Sequence, residues 1–530
     1  MATIASRRPA WSRPATAAGN ARLLVPLAVG GLVLLSVLLR TRDFDVGFWI
    51  DEGLSVGIAD RPLADIPAAL RLDGSPPLYY ALLHGWIAVF GITETATHAL
   101  SLLFAVLAVP AAWWAAHGLF GRTAGLTAAL LAATNPFLTH YAQETRMYAL
   151  VALLGLLACG AFGRAFVVAG TDAAPSRAAR RRWAAAFAVA LAALMYTHNW
   201  ALFFAGGCGL TWLALLASAA PGTRRELLLD GVVGFGGALL LYAPWLPTLA
   251  FQVQHTGAPW SVAPGLDDLI GVPGRLLGTA AQLGLLLAAG AGMVALLDRS
   301  AGRFSARGRA MLAMCGLCLA TVLAAYASSQ VAPAWAARYL AIALPPLLLA
   351  VAGGLAHAGR LGLVGALLVA VIWVGDGGPT AKSNVREISE EVAPSLRRGD
   401  LVVSTQPEQI PVLSYYLPPG LRYATLWGPV EDLGVTDWRD GVERLRATSA
   451  KGDLEPLLDR LPSGRRVVLV EPIINNLARW RAPWTELVRV RSTEWSQYLS
   501  NDPRLTPVAV RPPEMQPGIN VLRATVLLKR

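Results

Sequence analysis

The sequence predicts a mainly α-helical, polytopic membrane bundle of about eleven transmembrane helices carrying a C-terminal soluble α/β domain. Three observations carry this. The 530 residues are 55% hydrophobic and only 15% charged, with a mean hydropathy of +0.49, which an ordinary water-soluble globule does not keep. Apolar runs of bilayer length recur, on the order of 20 residues each. The hydrophobicity then stops at Val374, and Gly375 to Arg530 is rich in Arg, Glu, Asp and Pro with no run able to cross a membrane.

Taken in order, Met1 to Ala21 carries Arg7, Arg8 and Arg13 and leads into the uninterrupted apolar run Leu23 to Leu39. That run is long for a signal peptide and no small-x-small cleavage site follows it, so it reads as a first transmembrane helix with its N-terminus inside. Further spans are expected at Ala99 to Ala116, Ala124 to Leu138, Met147 to Gly163, Trp183 to Trp200, Ala201 to Ala219, Gly231 to Leu246, Leu276 to Leu297, Ala310 to Ala327, Tyr339 to Ala356 and Leu361 to Val374. Eleven spans place the two chain ends on opposite sides of the bilayer.

Leu78 to Ile92 is apolar but short, and it follows Pro76 and Pro77. If it does not span, thirteen arginines between Arg122 and Arg360 fall inside against Arg146, Arg275 and Arg338 outside; if it spans, the asymmetry inverts. It is therefore read as an interfacial or re-entrant helix within one long external loop, 41–98. The expected division is a membrane domain over 1–375 and an extracytoplasmic domain over 376–530. In the latter, Leu401 to Thr405 and Arg465 to Pro472 read as strands, and Glu408 to Tyr416 and Asp453 to Leu461 as helices. The expected setting is the cytoplasmic membrane of a bacterium, with the N-terminus cytoplasmic.

The formal charge of +11 comes from 45 basic against 34 acidic residues, and Lys382, Lys451 and Lys529 are the only lysines. Arginine on inner loops accounts for this, so the bilayer and not nucleic acid is the expected partner. Cys159, Cys208, Cys315 and Cys318 lie in apolar runs and read as buried small hydrophobes. The histidines form no metal-ligand pair, and no phosphate-binding Gly-rich loop opens a helix, so no metal site and no nucleotide site is assigned.

Ionisable groups held next to apolar spans are the informative residues. In FWIDEGLSVGIAD, Asp51 and Glu52 emerge from the apolar turn of Phe48, Trp49 and Ile50. Such a setting suits a general base, and it equally suits a helix start. In DGSPPLYYALLHGW, Tyr79, Tyr80 and His84 sit on an apolar helix, where such side chains bind sugars or anchor a helix at the interface. NPFLTHYAQETRMY packs His140, Gln143, Glu144 and Arg146 into one short external connection. Arg338, with Tyr339 beside it, opens a late span; its planar fork suits a phosphate or a lipid headgroup.

In that order and sidedness, the Asp51-Glu52 pair, the Pro76-Pro77-Leu78-Tyr79-Tyr80 segment, Gln143 to Arg146 and Arg338-Tyr339-Leu340 resemble the GT-C glycosyltransferases. The chain is most similar to the bacterial branch akin to protein O-mannosyltransferases and lipid A aminoarabinose transferases (glycosyltransferase family 39-like). The resemblance implies a polyprenyl-phosphate sugar donor, a lipid, glycan or protein acceptor, and inversion, on the outer face. It implies Asp51 as base, with Glu52 holding hydroxyls, and Arg338 and Arg146 on the donor phosphate. Tyr79, Tyr80, His84, His140, Gln143, Glu144 and Tyr339 would line the substrate site. A divalent cation is left open, as are the sugar and the acceptor. The alternative is a polytopic transporter or flippase, which would hold its ionisable groups nearer the membrane midplane.

Overall fold

The computed structural model describes residues 15–42, 44–171, 174–279, 281–297, 299–300, 303–375, 381–474, 476–511 and 521–530. Arg7, Arg8, Arg13 and Asp43 lie outside the described residues. The first helix, α1 (Ala15–Arg40), ends on Arg40, and Ile50–Ala59 (α2), Ile66–Asp73 (α3) and Leu78–Phe90 (α4) follow in the first loop. Then come α5 (Glu94–Phe120), α6 (Arg122–Thr134), α7 (Pro136–Ala142) and α8 (Tyr148–Phe162). The later bundle helices include Arg177–Met195, Ala201–Ala217, Ala306–Val331, Leu344–His357 and Gly359–Gly375.

Among the described residues five helices are long and apolar enough to cross a bilayer, beginning at Leu23, Glu94, Tyr148, Pro221 and Ala306, which makes this a multi-pass membrane protein. A sixth results if Leu266–Leu277 and Gln282–Leu296, bent by 86° at their break, form one span. This differs from the expected eleven. Among the described residues each expected run is mostly helical, the one from Leu276 to Leu297 being interrupted after Leu277, but several are shorter than a bilayer demands. The run from Ala124 to Leu138 breaks at Asn135, whose side chain caps Leu138 N at 3.0 Å ahead of Pro136. The remaining α6 has 13 residues, about 20 Å of helix. α4 is also 13 residues long, the length expected of a helix that does not span.

The bundle is closed by polar ties as well as apolar packing. The buried Arg40 guanidinium donates to the carbonyls of Ala105 (3.0 Å) and Ala132 (2.6 Å), pinning α1 to α5 and α6. Leu78 N donates to Tyr196 O at 2.9 Å, which fixes the start of α4.

The C-terminal region contains a six-stranded sheet in the spatial order Gly428–Val430, Arg422–Thr425, Leu401–Ser404, Arg466–Pro472, Leu522–Lys529, Leu505–Arg511. Leu401–Ser404 runs parallel to both of its neighbours, and the other pairings are antiparallel. Alternation sends side chains to two faces. Val402, Val468 and Val470 join the same buried core as the membrane helices. Leu401, Val403, Val467 and Leu469 join a second core with Trp484 and Trp495. With both faces covered, the central strands are apolar without alternation over 401–403 and 467–470.

The sheet region docks on the loops of the bundle. Trp438 N donates to Leu72 O (3.1 Å), Asp440 N to His255 O (2.8 Å) and Trp484 N to Pro259 O (3.1 Å). Closest is the approach of α2 to Ile410–Tyr416: a Cβ on Gly53 would lie 2.5 Å from Val412 Cβ and 2.6 Å from its Cα. Gly53→Ala should therefore destabilise the protein by about 1–3 kcal/mol through overpacking. Gly85→Ala on α4, where a Cβ meets nothing within 4 Å, should be neutral or slightly stabilising. Thermal melts of the two purified variants check this contrast, and equal melting temperatures contradict it.

Candidate active site

Asp51 is the second residue of α2 and stands between two arginines. Its Oδ2 lies 3.5 Å from Arg338 Nε and 4.0 Å from Arg146 Nε. Charge draws the three groups together, yet Asp51 Oδ2, Arg146 Nε and Arg338 Nε are all buried without a hydrogen-bond partner among the described residues. Arg146 is steered by its other nitrogen, Nη1, which donates to Ser55 Oγ (3.1 Å), Asp51 O (3.3 Å) and Tyr80 Oη (3.4 Å). The Arg338 guanidinium carbon lies 4.9 Å from the Trp260 ring centroid, 5.4 Å from Tyr339 and 5.8 Å from Trp49. Tyr339 in turn meets His198 (4.7 Å) and Trp200 (5.4 Å), so the charged cluster opens onto an aromatic wall.

Glu52 is fully buried, and each of its oxygens is met by two donors. Oε1 is 2.7 Å from His98 Nε2 and accepts from Thr145 N at 2.8 Å. Oε2 accepts from Lys382 Nζ at 2.8 Å and from Trp49 N at 3.4 Å. Lys382 Nζ also donates to Gln143 O at 2.8 Å. Burial alone would raise the Glu52 carboxyl; the Lys382 ammonium and then His98 outweigh it and hold it well below the usual carboxylate range. Four donors saturate a carboxylate, which leaves Glu52 little capacity for the substrate hydroxyls expected of it. Its work is to fasten α2, α5, the 143–146 connection and the start of the C-terminal region around Asp51.

Glu144 is buried beside this clasp. Its Oε1 accepts from Trp49 Nε1 at 3.1 Å, and its Oε2 lies 3.6 Å from His140 Nε2, on a ring that is partly exposed. Burial pushes its carboxyl up to about 7; Lys382 opposes this, and Glu52 and Asp51 add to it. Burial raises the carboxyl of Asp73, the last residue of α3; hydrogen bonding with Ser75 and the charge of Arg146 oppose this, and Asp51 adds to it. Among the described residues no three His, Cys, Asp or Glu side chains converge as metal ligands. Asp51 faces two guanidinium groups, which a dication would have to displace, so the donor set here does not fit one.

No family model and no curated protein matches this sequence. Solved structures do match it. ArnT from Cupriavidus metallidurans bound to undecaprenyl phosphate aligns with a TM-score of 0.59 at 14% identity, over 95% of this chain and 97% of that one. The archaeal oligosaccharyltransferase AglB from Archaeoglobus fulgidus, in complex with an inhibitory peptide and a dolichol-phosphate, aligns at 0.54 and 13% identity over 84% and 69%. The mycobacterial arabinofuranosyltransferase AftD aligns at 0.51 and 17% identity over 96% of this chain and 40% of that one. The fold is that of the GT-C glycosyltransferases.

Within this GT-C fold the sequence-selected residues divide. Asp51, Tyr80, Arg146, Arg338 and Tyr339 come together, with Glu144 and His140 beside them. Tyr79 is buried behind Tyr80, their rings 5.9 Å apart. Two others, His84 and Gln143, already hold partners within the protein. His84 Nδ1 engages Ala59 O at 2.9 Å, eight residues and about 12 Å along α2 from Asp51. The Gln143 amide donates to the carbonyls of Arg40 (2.9 Å) and Arg42 (2.6 Å), tying its loop to the end of α1. His98, Lys382 and Trp260 were not selected from sequence. The only available signal for Lys382 was a lone lysine, in an arginine-rich chain, just after the last apolar run.

Removing Lys382 strands a buried carboxylate. Lys382→Met should cost about 3–5 kcal/mol of stability, and a loss below about 1 kcal/mol in chemical denaturation contradicts the clasp. For Glu144 the sign runs the other way. Its carboxyl titrates near 4.5 when unfolded and about 7 when folded, so stability is lost as pH rises through that window. The melting temperature should fall from pH 5 to pH 8, and Glu144→Gln should flatten the fall; an identical slope in the variant refutes the assignment.

Proposed function

We propose that the protein is a membrane glycosyltransferase that moves a sugar from a polyprenyl-phosphate donor to a lipid, glycan or protein acceptor, with inversion. The observation that carries this reading is the convergence of Asp51 Oδ2, Arg146 Nε and Arg338 Nε, ion-paired without a hydrogen bond, at the end of an apolar bundle. The ligands of two similar structures support the donor class: undecaprenyl phosphate in ArnT and dolichol-phosphate in AglB.

The acceptor hydroxyl, hydrogen-bonded to Asp51, attacks the anomeric carbon and passes its proton to the carboxylate. The bond from that carbon to the phosphate oxygen breaks with its electron pair on the phosphate. Arg338 and Arg146 stabilise the charge that grows there. Before the donor arrives, Asp51 partly neutralises both arginines. A phosphate competes for the same cations and loosens that pairing, so the carboxylate turns to an acceptor only when a donor is in place. Tyr80 and Ser55 keep Arg146 aimed during this exchange. Tyr339, Trp260 and Trp49 offer ring faces for the sugar.

Purified protein incubated with radiolabelled polyprenyl-phosphate sugars and a panel of membrane acceptors tests the reading. Asp51→Asn should lower turnover by roughly 100-fold or more, because the amide takes no proton. Near-normal turnover in a well-inserted variant removes Asp51 as base. Arg338→Ala should lower turnover by roughly 100-fold, whereas unchanged kinetics across donor concentration would assign Arg338 to a lipid headgroup.

A further inference from the structure

Two polar groups at the site take no part in the transfer as proposed: the Tyr148 hydroxyl and the His198 ring. Tyr148, the first residue of α8, is fully buried, and its hydroxyl has no hydrogen-bond partner among the described residues. Leaving such a group bare is costly, and a ligand oxygen would relieve it. The Arg146 guanidinium carbon lies 5.9 Å from the Tyr148 ring centroid, and the charges of Arg146 and Arg338 both act on the hydroxyl.

His198 lies in the turn that joins Arg177–Met195 to Ala201–Ala217. Its Nδ1 accepts from Trp200 N at 3.1 Å. A backbone N–H donates only to an unprotonated ring nitrogen, so the ring is neutral and carries its proton on Nε2. Nε2 makes no hydrogen bond among the described residues, and His198 is 8% exposed. The ring packs 4.7 Å from the Tyr339 ring and 5.9 Å from Tyr148. Those are the rings beside which Arg338 and Arg146 lie, at 5.4 Å and 5.9 Å, and both guanidinium charges act on the imidazole. Two uncharged donors thus stand between two cations.

Asp51 Oδ2 draws on both arginines by charge, whereas it has no comparable hold on a hydroxyl or a neutral N–H. A sugar phosphodiester carries one negative charge and gains a second as its bond to the anomeric carbon breaks. Neutral donors can hold its oxygens while the guanidinium groups take up that charge. We propose that the Tyr148 hydroxyl and the His198 Nε2–H donate to the phosphate oxygens of the polyprenyl-phosphate sugar, between Arg146 and Arg338. The identity of that anion rests on the transferase reading.

The full chain, purified in detergent, is titrated with undecaprenyl phosphate and with undecaprenol, and binding is followed by microscale thermophoresis. The unsubstituted protein should prefer the phosphate. Tyr148→Phe and His198→Leu should each weaken its binding roughly tenfold and leave undecaprenol unchanged. His198→Gln, whose amide returns an N–H near the position of Nε2, should recover most of the loss. Equal weakening for both lipids, or a glutamine that does not rescue, assigns the ring to packing and overturns the proposal. If the unsubstituted protein shows no preference for the phosphate, the donor class fails and this site with it. If it prefers the phosphate and both variants keep that preference in full, this inference alone fails. Should His198→Leu not stay monodisperse, Tyr148→Phe, which keeps its ring, decides: unchanged phosphate affinity refutes the site and a selective loss supports it.

Discussion

The arrangement at the end of the bundle depends on one buried charge. Glu52 sits out of water, and an uncompensated carboxylate there would be prohibitive. Its donors come from four places in the chain: His98 on α5, the Thr145 amide, the Trp49 amide and Lys382 just beyond the last bundle helix. All four must be present together for the carboxylate to be tolerated. That requirement sets the position of α2 to within hydrogen-bond tolerance, and so sets where its neighbour Asp51 points. The residue next to Asp51 is the fastener, and Asp51 itself is left under-bonded.

How much of this was legible in the sequence follows from the range of each interaction. The Asp51-Glu52 pair, the Gln143–Arg146 connection and Arg338 were visible because acids and bases are conspicuous against apolar spans. The helical bundle and the strands Leu401–Ser404 and Arg466–Pro472 were visible because composition and periodicity are local properties. The partition of roles was not. Glu52 and Asp51 are adjacent and chemically alike, and only the 330-residue separation closed by Lys382 tells them apart. The partners of His84 and Gln143 were hidden for a related reason. Both are polar in apolar surroundings, but nearby backbone carbonyls satisfy them, and sequence does not reveal which carbonyls a fold will present. Eleven spans are not confirmed: among the described residues five helices, or six with the bent pair, are long and apolar enough to cross, and the break at Asn135-Pro136 shortens one expected span.

The site is also shared between the two parts of the chain. Trp49 and Asp51 come from the first loop and Arg338 from a late bundle helix, while Lys382 leads into the sheet region. Glu94 extends this sharing, accepting from the hydroxyls of Tyr416 (2.8 Å) and Tyr415 (3.3 Å) and from Arg386 (3.4 Å). Tyr416 Oη is also 2.7 Å from Phe48 N, three residues before Asp51. The sheet region is thus wired to the loop that carries Asp51 through Tyr415, Tyr416 and Arg386.

The burial of Val402, Val468 and Val470 in the same core as the membrane helices bears on how this protein can be divided. That core reaches the sheet through Val385–Val392 and Ile410–Tyr416, the latter packed on α2 of the first loop, so a fragment cut near residue 381 would expose the apolar side of Ile410–Tyr416 that α2 covers. The complementary membrane half would lose the cover over its first loop. Swapping this region for a foreign one, as tethered beads on a flexible string are swapped, would need a replacement that reproduces the shape and register of that face.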